Sequence, residues 1–97
     1  MYTSIRRYST DSDDATEIVD IVRQGDIAEI ISSLPGFVSY YLLDCGEGTV
    51  ASISVFEDKA GAEHSNAISA RWVSEKVLPS HYLSPPEITG GEVVVSA

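Results

Sequence analysis

Two side chains in one predicted helix, Asn66 and Trp72, are the first candidates for chemistry in this chain. An amide can hydrogen-bond a ligand, and an indole can form the wall of a ring-binding cavity. Helical spacing places Asn66 on an inner face of small residues and Trp72 on a flank, about 120° away. We predict that both side chains line a small-molecule pocket. The alternatives are an amide that bonds a neighbouring strand and an indole that packs in the core.

The remaining candidates are more isolated in the sequence. Arg6 and Arg7 point to opposite faces of the first predicted strand, so one of them lies on a covered face. We predict that Arg7 binds an anion or a phenolate of the substrate; the alternative is a salt bridge with a nearby carboxylate. His81, in the proline-rich loop 78–86, and Tyr41 are the other predicted substrate-binding residues, with an exposed loop histidine and an ordinary strand tyrosine as the alternatives.

Several classes of function are excluded or disfavoured by the composition. Six basic against fifteen acidic residues give a net charge of −9, which disfavours nucleic acids and anionic membranes as partners. No metal-ligand cluster, phosphate-binding glycine loop or serine–histidine–acid order is visible, so we expect no metal and no cofactor. The single Cys45 and the absence of a hydrophobic signal core in residues 1–8 predict a cytoplasmic protein.

The elements that must position these side chains follow from periodicity and turn residues. The pattern predicts strands at 2–8, 37–44, 49–57 and 87–96, and helices at 13–33 and 59–77. The order β-α-β-β-α-β predicts one α+β domain over 1–97, with a ferredoxin-like four-stranded antiparallel sheet. We expect the first strand at a sheet edge, a bulge or sharp bend at Gly90-Gly91, and Asp58 as a helix cap.

The first helix and the middle strands carry more specific signals. The apolar stripe of the helix changes phase at Gly25-Asp26, which predicts a break there with Asp26 as the cap of a new segment. On the second strand, alternation places Phe37, Tyr41 and Leu43 on one face and Val38, Tyr40 and Leu42 on the other. Because a sheet that is apolar on both faces must be covered twice, we predict a homodimer in which a second copy covers the face without helices.

The residues of the middle region resemble the antibiotic biosynthesis monooxygenase-like family. The resemblance lies in Pro35-Gly36-Phe37, in 40–44 and 52–58, and in the helix around Gly61-Ala62-Glu63 and Asn66. It implies ferredoxin-like protomers that pair into a dimeric α/β barrel. It also implies a cofactor-independent monooxygenase acting on an aromatic polyketide- or quinone-like molecule. In such enzymes an asparagine and a tryptophan of this helix take part in catalysis, so the resemblance implies a catalytic role for Asn66 and Trp72.

Two other functions stay open at this stage. The chain could be a non-catalytic dimeric domain that binds a small ligand or acts as a scaffold. Haem degradation is a weaker third option, because Trp72 and His81 echo residues of haem-degrading relatives whereas the first strand lacks their asparagine. An apolar cavity of about 300 Å³ or more between the second helix and the sheet, with Asn66 projecting into it, would favour both ligand-dependent functions, and an interface filled by side chains would count against both.

Overall fold

The fold is a four-stranded sheet with all helices on one face. The computed structural model describes residues 1–97. Its elements are β1 (Tyr2–Ser9), α1 (Ser12–Gln24), α2 (Ile27–Ser32), β2 (Phe37–Gly46), β3 (Thr49–Phe56), α3 (Lys59–Lys76) and β4 (Glu87–Glu92). The strands are antiparallel in the order β2-β3-β1-β4, which confirms the predicted ferredoxin-like α+β fold. The edge position predicted for β1 is wrong, because this topology places β1 between β3 and β4.

The predicted break in the first helix is confirmed between α1 and α2. Gly25 has an extended backbone, and a Cβ built on it would lie 2.6 Å from Cζ2 of Trp72. Glycine therefore makes room for the indole. Asp26 precedes α2 but its side chain does not cap the helix. Its Oδ1 instead accepts a 2.8 Å hydrogen bond from Nε1 of Trp72. The predicted cap is therefore wrong, because the carboxylate bonds a residue that is distant in the sequence.

Side chains alternate strictly along β1. Ser4, Arg6 and Tyr8 are buried on the helix side, and the residues between them are exposed on the other side. The core lies between that helix side and the three helices. Its buried members are Tyr8, Ile18, Ile27, Ile31, Phe56, Ala62, Trp72, Val77 and Leu83.

One face assignment in β2 is wrong because the strand contains an irregularity that alternation cannot show. The β2–β3 register shifts between Phe37 and Ser39. The shift brings Phe37 to the helix side, where its ring meets that of Phe56 edge-on at a centroid distance of 5.9 Å. Val38 becomes exposed. A bulge inserts one residue and reverses the parity of those beyond it.

The buried stripe of α3 is rotated from its predicted position. Ala70, which helical spacing places beside Asn66 on the inner face, is exposed. The buried residues of the helix are Ala62, Ser65, Ser69 and Trp72. The rotation brings the largest side chain of the helix into the core, where it removes the most apolar area from water. The predicted cap is confirmed, since Oδ1 of Asp58 accepts a 2.8 Å hydrogen bond from the Gly61 N–H.

The last strand is shorter than predicted. It ends at Glu92, and Val93 donates one further backbone bond to Met1 at 2.9 Å. Beyond that point β1 has no residues left to pair, so the valines that follow are exposed. The bulge predicted at Gly90-Gly91 is wrong, because the β1–β4 register is continuous. Gly90 instead leaves space for the ring of Tyr2, whose hydroxyl would lie 2.7 Å from a Cβ at this position.

The face of the sheet without helices is apolar. Ile5, Tyr41 and Leu43 are 38%, 57% and 41% exposed there, and Ile53 and Val55 lie between them on β3. No helix of the chain packs on this face. Nor does any helix have the length and hydropathy needed to cross a membrane.

Candidate functional site

Two adjacent spaces lie between the sheet and α3. The inner cavity has a volume of about 30 Å³, enough for one or two water molecules, and is lined mainly by apolar side chains, among them Trp72 and Tyr40. The outer chamber has a volume of about 240 Å³ and opens beneath the loop that follows α3. Both share the side chains of Tyr8, Val73 and Leu83, which therefore form the partition between them.

The chamber is lined by Arg6 and Tyr8 of β1, by Ala70 and Val73 of α3, and by Leu78, Leu83, Ser84, Pro85 and Pro86 of the loop. Prolines shape this loop because they fix the backbone and cannot continue a helix. Two contacts tie the loop to the end of β1: the Ser84 N–H donates to the Ser9 carbonyl at 2.9 Å, and the Ser9 N–H donates to Oγ of Ser84 at 2.8 Å. The loop is therefore a fixed wall of the chamber.

Arg6 lines the outer chamber, and neutral groups hold its guanidinium. Nε donates to the Tyr8 hydroxyl at 2.9 Å, and Nη2 donates to the same oxygen. Nη1 donates to the backbone carbonyl of Asn66 at 3.2 Å. The guanidinium carbon also lies 5.4 Å from the centre of the Tyr8 ring, within the range of a cation–π contact. Every protein group that contacts Arg6 in this way is electrically neutral.

Tyr40 lines the inner cavity with its phenol in the neutral form. Burial raises the pKa of Tyr40 to about 12, the nearby Tyr8 adds to that increase, and the positive charge of Arg6 opposes it. The phenol consequently stays protonated at neutral pH and can donate a hydrogen bond. Ser52 and Ser69 also line this cavity, and its other 11 lining residues, which include Tyr8, Tyr40 and Trp72, are hydrophobic.

The two predicted catalytic residues have different surroundings. Asn66 points at the sheet and its Oδ1 accepts a 2.9 Å hydrogen bond from Oγ of Ser4, but it lines neither space. Trp72 lines the inner cavity while its N–H is bonded to Asp26. The fold therefore separates them: Asn66 supports the site through β1, and Trp72 contributes an apolar wall.

The three predicted substrate-binding residues lie outside these spaces. Arg7 and Tyr41 lie on the face of the sheet without helices, and Arg7 forms an exposed ion pair with Glu87. His81 lies where the loop meets α1. Its Nε2 is 2.6 Å from Oε2 of Glu17, and its Nδ1 is 2.9 Å from Oγ of Ser80.

His81 also belongs to a group of three potential metal ligands that the fold brings together. Ligand atoms of Asp14, Glu17 and His81 lie within 4.8 Å of one another. The group joins α1 to the loop after α3. Its contact between His81 and Glu17 is a hydrogen bond that fastens this loop to the helix.

Sequence reasoning missed Arg6, Tyr8 and Tyr40 as site residues. The sequence signal for Arg6 and Tyr8 was the alternation of side chains along β1, which places both on the face opposite to that of Arg7. Parity sorts side chains into two faces but does not reveal which face the helices cover. Only the packing of α3 on β1 makes Arg6 the arginine of the site.

Comparison with known proteins identifies the fold. No protein-family profile matches the chain, and no curated protein matches it in sequence. A solved structure of an antibiotic biosynthesis monooxygenase is 17% identical, covers 98% of this chain and 100% of its own length, and has a TM-score of 0.71. The chain has the antibiotic biosynthesis monooxygenase fold. The resemblance seen in the sequence is thereby confirmed at the level of structure.

Two further solved structures are similar to this chain. A variant of SnoaB, a cofactor-independent oxygenase from Streptomyces nogalater, is 18% identical, with 98% and 94% of the two chains covered and a TM-score of 0.68. A dimeric ferredoxin-like protein from an uncultured marine organism is 11% identical, with 99% and 96% covered and a TM-score of 0.74. At these identities the likeness describes the fold, and the chemistry must be argued from the residues of this chain.

Proposed function

We propose that this monooxygenase-like protein binds a small aromatic molecule in the outer chamber and oxidises it with molecular oxygen without a cofactor. The observation that carries the proposal is the space between α3 and the sheet, which combines apolar walls with one buried cation and the phenol groups of Tyr8 and Tyr40. Such a space can hold a ring, orient its oxygens and limit water. The likeness to SnoaB, a cofactor-independent oxygenase, supports the same class of reaction.

The substrate class is an aromatic polyketide- or quinone-like molecule. For an anthrone the reaction replaces the two hydrogens of the ring CH₂ by a carbonyl oxygen: one atom of O₂ enters the product and the other leaves as water. The substrate supplies the electrons, so no external reductant is needed. The residues of the chamber would bind the ring, hold an electron-rich oxygen near Arg6 and limit the access of bulk water.

The size of the space sets how a ligand must bind. At about 240 Å³ the outer chamber approaches the lower end of typical ligand pockets, near 300 Å³, whereas the inner cavity is too small for a ring. The ligand body therefore lies in the chamber, against Val73 and Leu83. A movement of the Leu83 side chain would join the two spaces and bring the ligand to Tyr40 and Trp72.

A second function, binding without turnover, is favoured by one specific observation. Both side chains predicted to act in catalysis already have partners within the chain: Asn66 accepts from Ser4, and Trp72 donates to Asp26. Groups held in this way can shape a site without touching the reacting atoms. A dimeric small-ligand-binding or scaffold domain is therefore the alternative.

Oxygen uptake with a panel of anthrones and hydroquinones separates the two functions. We expect wild-type protein to consume O₂ above the uncatalysed rate, and Trp72→Phe to slow this uptake at least several-fold. Asn66→Ala and Ser4→Ala remove the same hydrogen bond from its two ends. A slower reaction in Asn66→Ala alone would support a direct role of the amide, and equal rates would leave it a structural one.

His64→Ala, an exposed change on the outer side of α3, is the matched control and should react as wild type does. Binding of the panel without any O₂ uptake would exclude the oxygenase and leave the binding function. Absence of both binding and uptake would reject both functions.

We further propose that the protein is a homodimer formed through the apolar face of the sheet. The exposed Ile5, Tyr41 and Leu43 form a contiguous apolar surface of the kind that marks interaction sites, and one structural neighbour is described as dimeric. Sedimentation should give about twice 10.4 kDa for wild type and for His64→Glu. Tyr41→Glu should give 10.4 kDa, and a well-folded wild-type monomer at micromolar concentration would refute the dimer.

The proposed cytoplasmic location rests on the lone, exposed Cys45. A free thiol at the surface suits a reducing compartment, since an oxidising one would favour an intermolecular disulfide. Cell fractionation with an antibody against the native protein tests it.

A further inference from the structure

Arg6 is the only charged residue among the buried residues of this chain, and it is 2% exposed. The chain has fifteen acidic residues, yet none forms an ion pair with Arg6. Its hydrogen bonds go to the hydroxyl of Tyr8 and the backbone carbonyl of Asn66. The charge is therefore buried without a counter-charge.

A buried guanidinium with only neutral partners is an unusual arrangement with an energetic cost. Removing an ion from water costs several kcal/mol, and neutral acceptors satisfy its N–H groups without balancing its charge. The guanidinium has five N–H groups, of which three make the bonds to Tyr8 and Asn66. The other two N–H groups make no hydrogen bond within the chain, and Arg6 lines the outer chamber.

The space next to Arg6 can hold that acceptor. Arg6 is the only charged residue that lines the outer chamber; apolar side chains of α3 and prolines of the loop form most of the remaining wall. A charge interaction is stronger in such surroundings than in water because the local dielectric constant is lower. The neighbouring Tyr40 does not supply a counter-charge, because its raised pKa keeps it neutral.

We propose that the outer chamber selects its ligand as an anion, with a carboxylate or phenolate oxygen on the guanidinium of Arg6 and an aromatic body against Val73, Leu83 and the loop prolines. The inference rests on the proposed function, because it concerns the same site, and it narrows the ligand from a small aromatic molecule to an aromatic anion. The protein as a whole has a net charge of −9 and repels anions, so the site would attract anions through the local positive charge of Arg6.

Isothermal titration with matched ligands tests the charge. Naphthoate and the neutral naphthamide form one pair, and nitrophenolate and the neutral nitroanisole form the other, so the two arms distinguish a carboxylate from a phenolate ligand. A hydrogen bond to a charged group predicts that the anion of at least one pair binds about 10- to 100-fold more tightly than its neutral partner. This comparison needs only the wild-type protein.

Variants then locate the charge. Arg6→Met retains the length and the apolar stem of the side chain, and it should abolish the anion preference while weakening neutral ligands little. Arg7→Met, on the opposite face of the sheet, is the matched control and should keep the preference. Loss of the preference in Arg7→Met alone, or its persistence in a folded Arg6→Met, would overturn the assignment to Arg6.

The outcomes distinguish this inference from the function on which it rests. Equal binding of anions and neutral partners would overturn charge selection and leave the aromatic-binding proposal intact. Binding of no member of either pair would reject both. Inorganic phosphate that binds as tightly as naphthoate would also overturn the inference, because the aromatic body would then contribute nothing.

Discussion

Gly25→Ala is the most informative single change for the packing behind the site. A Cβ at this position would lie 2.6 Å from Cζ2 and 3.1 Å from Cη2 of Trp72, and 3.0 Å from the backbone carbonyl of Ile21. The first distance is well inside van der Waals contact, so the indole or the α1–α2 junction must move. The indole cannot move freely, because its N–H is bonded to Asp26.

The expected loss of stability follows from two opposing effects. Overpacking a well-filled interior costs about 1–3 kcal/mol. Alanine recovers about 0.4–1 kcal/mol by restricting the unfolded chain, since the extended backbone at Gly25 is open to any residue. The midpoints of these two ranges give a net loss of about 1.3 kcal/mol, which lowers Tm by roughly 5–10 °C in a domain of this size.

Urea denaturation at one fixed protein concentration measures this loss, and a double-mutant cycle with Trp72→Phe identifies its cause. Phenylalanine lacks the outer indole atoms that meet the new methyl group, so Gly25→Ala should cost about 1 kcal/mol less in the Trp72→Phe background. Gly91→Ala is the glycine control, because a Cβ there meets nothing within 4 Å. Equal losses in both backgrounds, or a Gly25→Ala as harmless as Gly91→Ala, would refute the packing argument.

Three further changes test other contacts. The pKa of Tyr40 is raised from 10.0 to about 12 in the folded state, so the stability that this pKa shift contributes is complete below pH 10 and is lost as pH rises towards 12. Urea titrations should therefore show that the difference in unfolding free energy between wild type and Tyr40→Phe shrinks over that interval. Asp58→Ala removes the cap on the Gly61 N–H and should cost about 1 kcal/mol in thermal unfolding, whereas a cost near zero would show that α3 does not need it. Arg7→Ala breaks an exposed pair with Glu87, so it should cost less than about 1 kcal/mol at moderate salt; a larger loss would show that the pair is not simply solvated.

The order of elements was predictable because local sequence specifies it. Proline, glycine and aspartate punctuate the chain, and alternation or helical spacing marks the segments between them. The break at Gly25 shows the limit of this reasoning. The sequence locates it correctly, but the reason for it is the ring of Trp72, 47 positions further along the chain.

The site was less predictable because its residues come together only through packing. Asn66 was correctly placed against the sheet, but its partner is Ser4, and the amide does not reach the cavity. Arg7 was the arginine predicted for the site, whereas the fold places Arg6 there. Alternation divides the residues of a strand between two faces but does not show which face the helices cover. The face predicted for Phe37 was wrong because the register shift between Phe37 and Ser39 cannot be seen in the alternation of the sequence.

By itself the sequence determined an acidic, ferredoxin-like α+β chain with a divided first helix and a sheet that is apolar on both faces. These features depend on residue type and on spacing over a few positions, and the neighbours along the chain are enough to define them. The tertiary structure alone decided that Arg6 is buried beside Tyr8 and Tyr40 at a chamber with no carboxylate. That environment is assembled from β1, β2, α3 and the loop after α3, and burial and charge balance are properties of the assembled space.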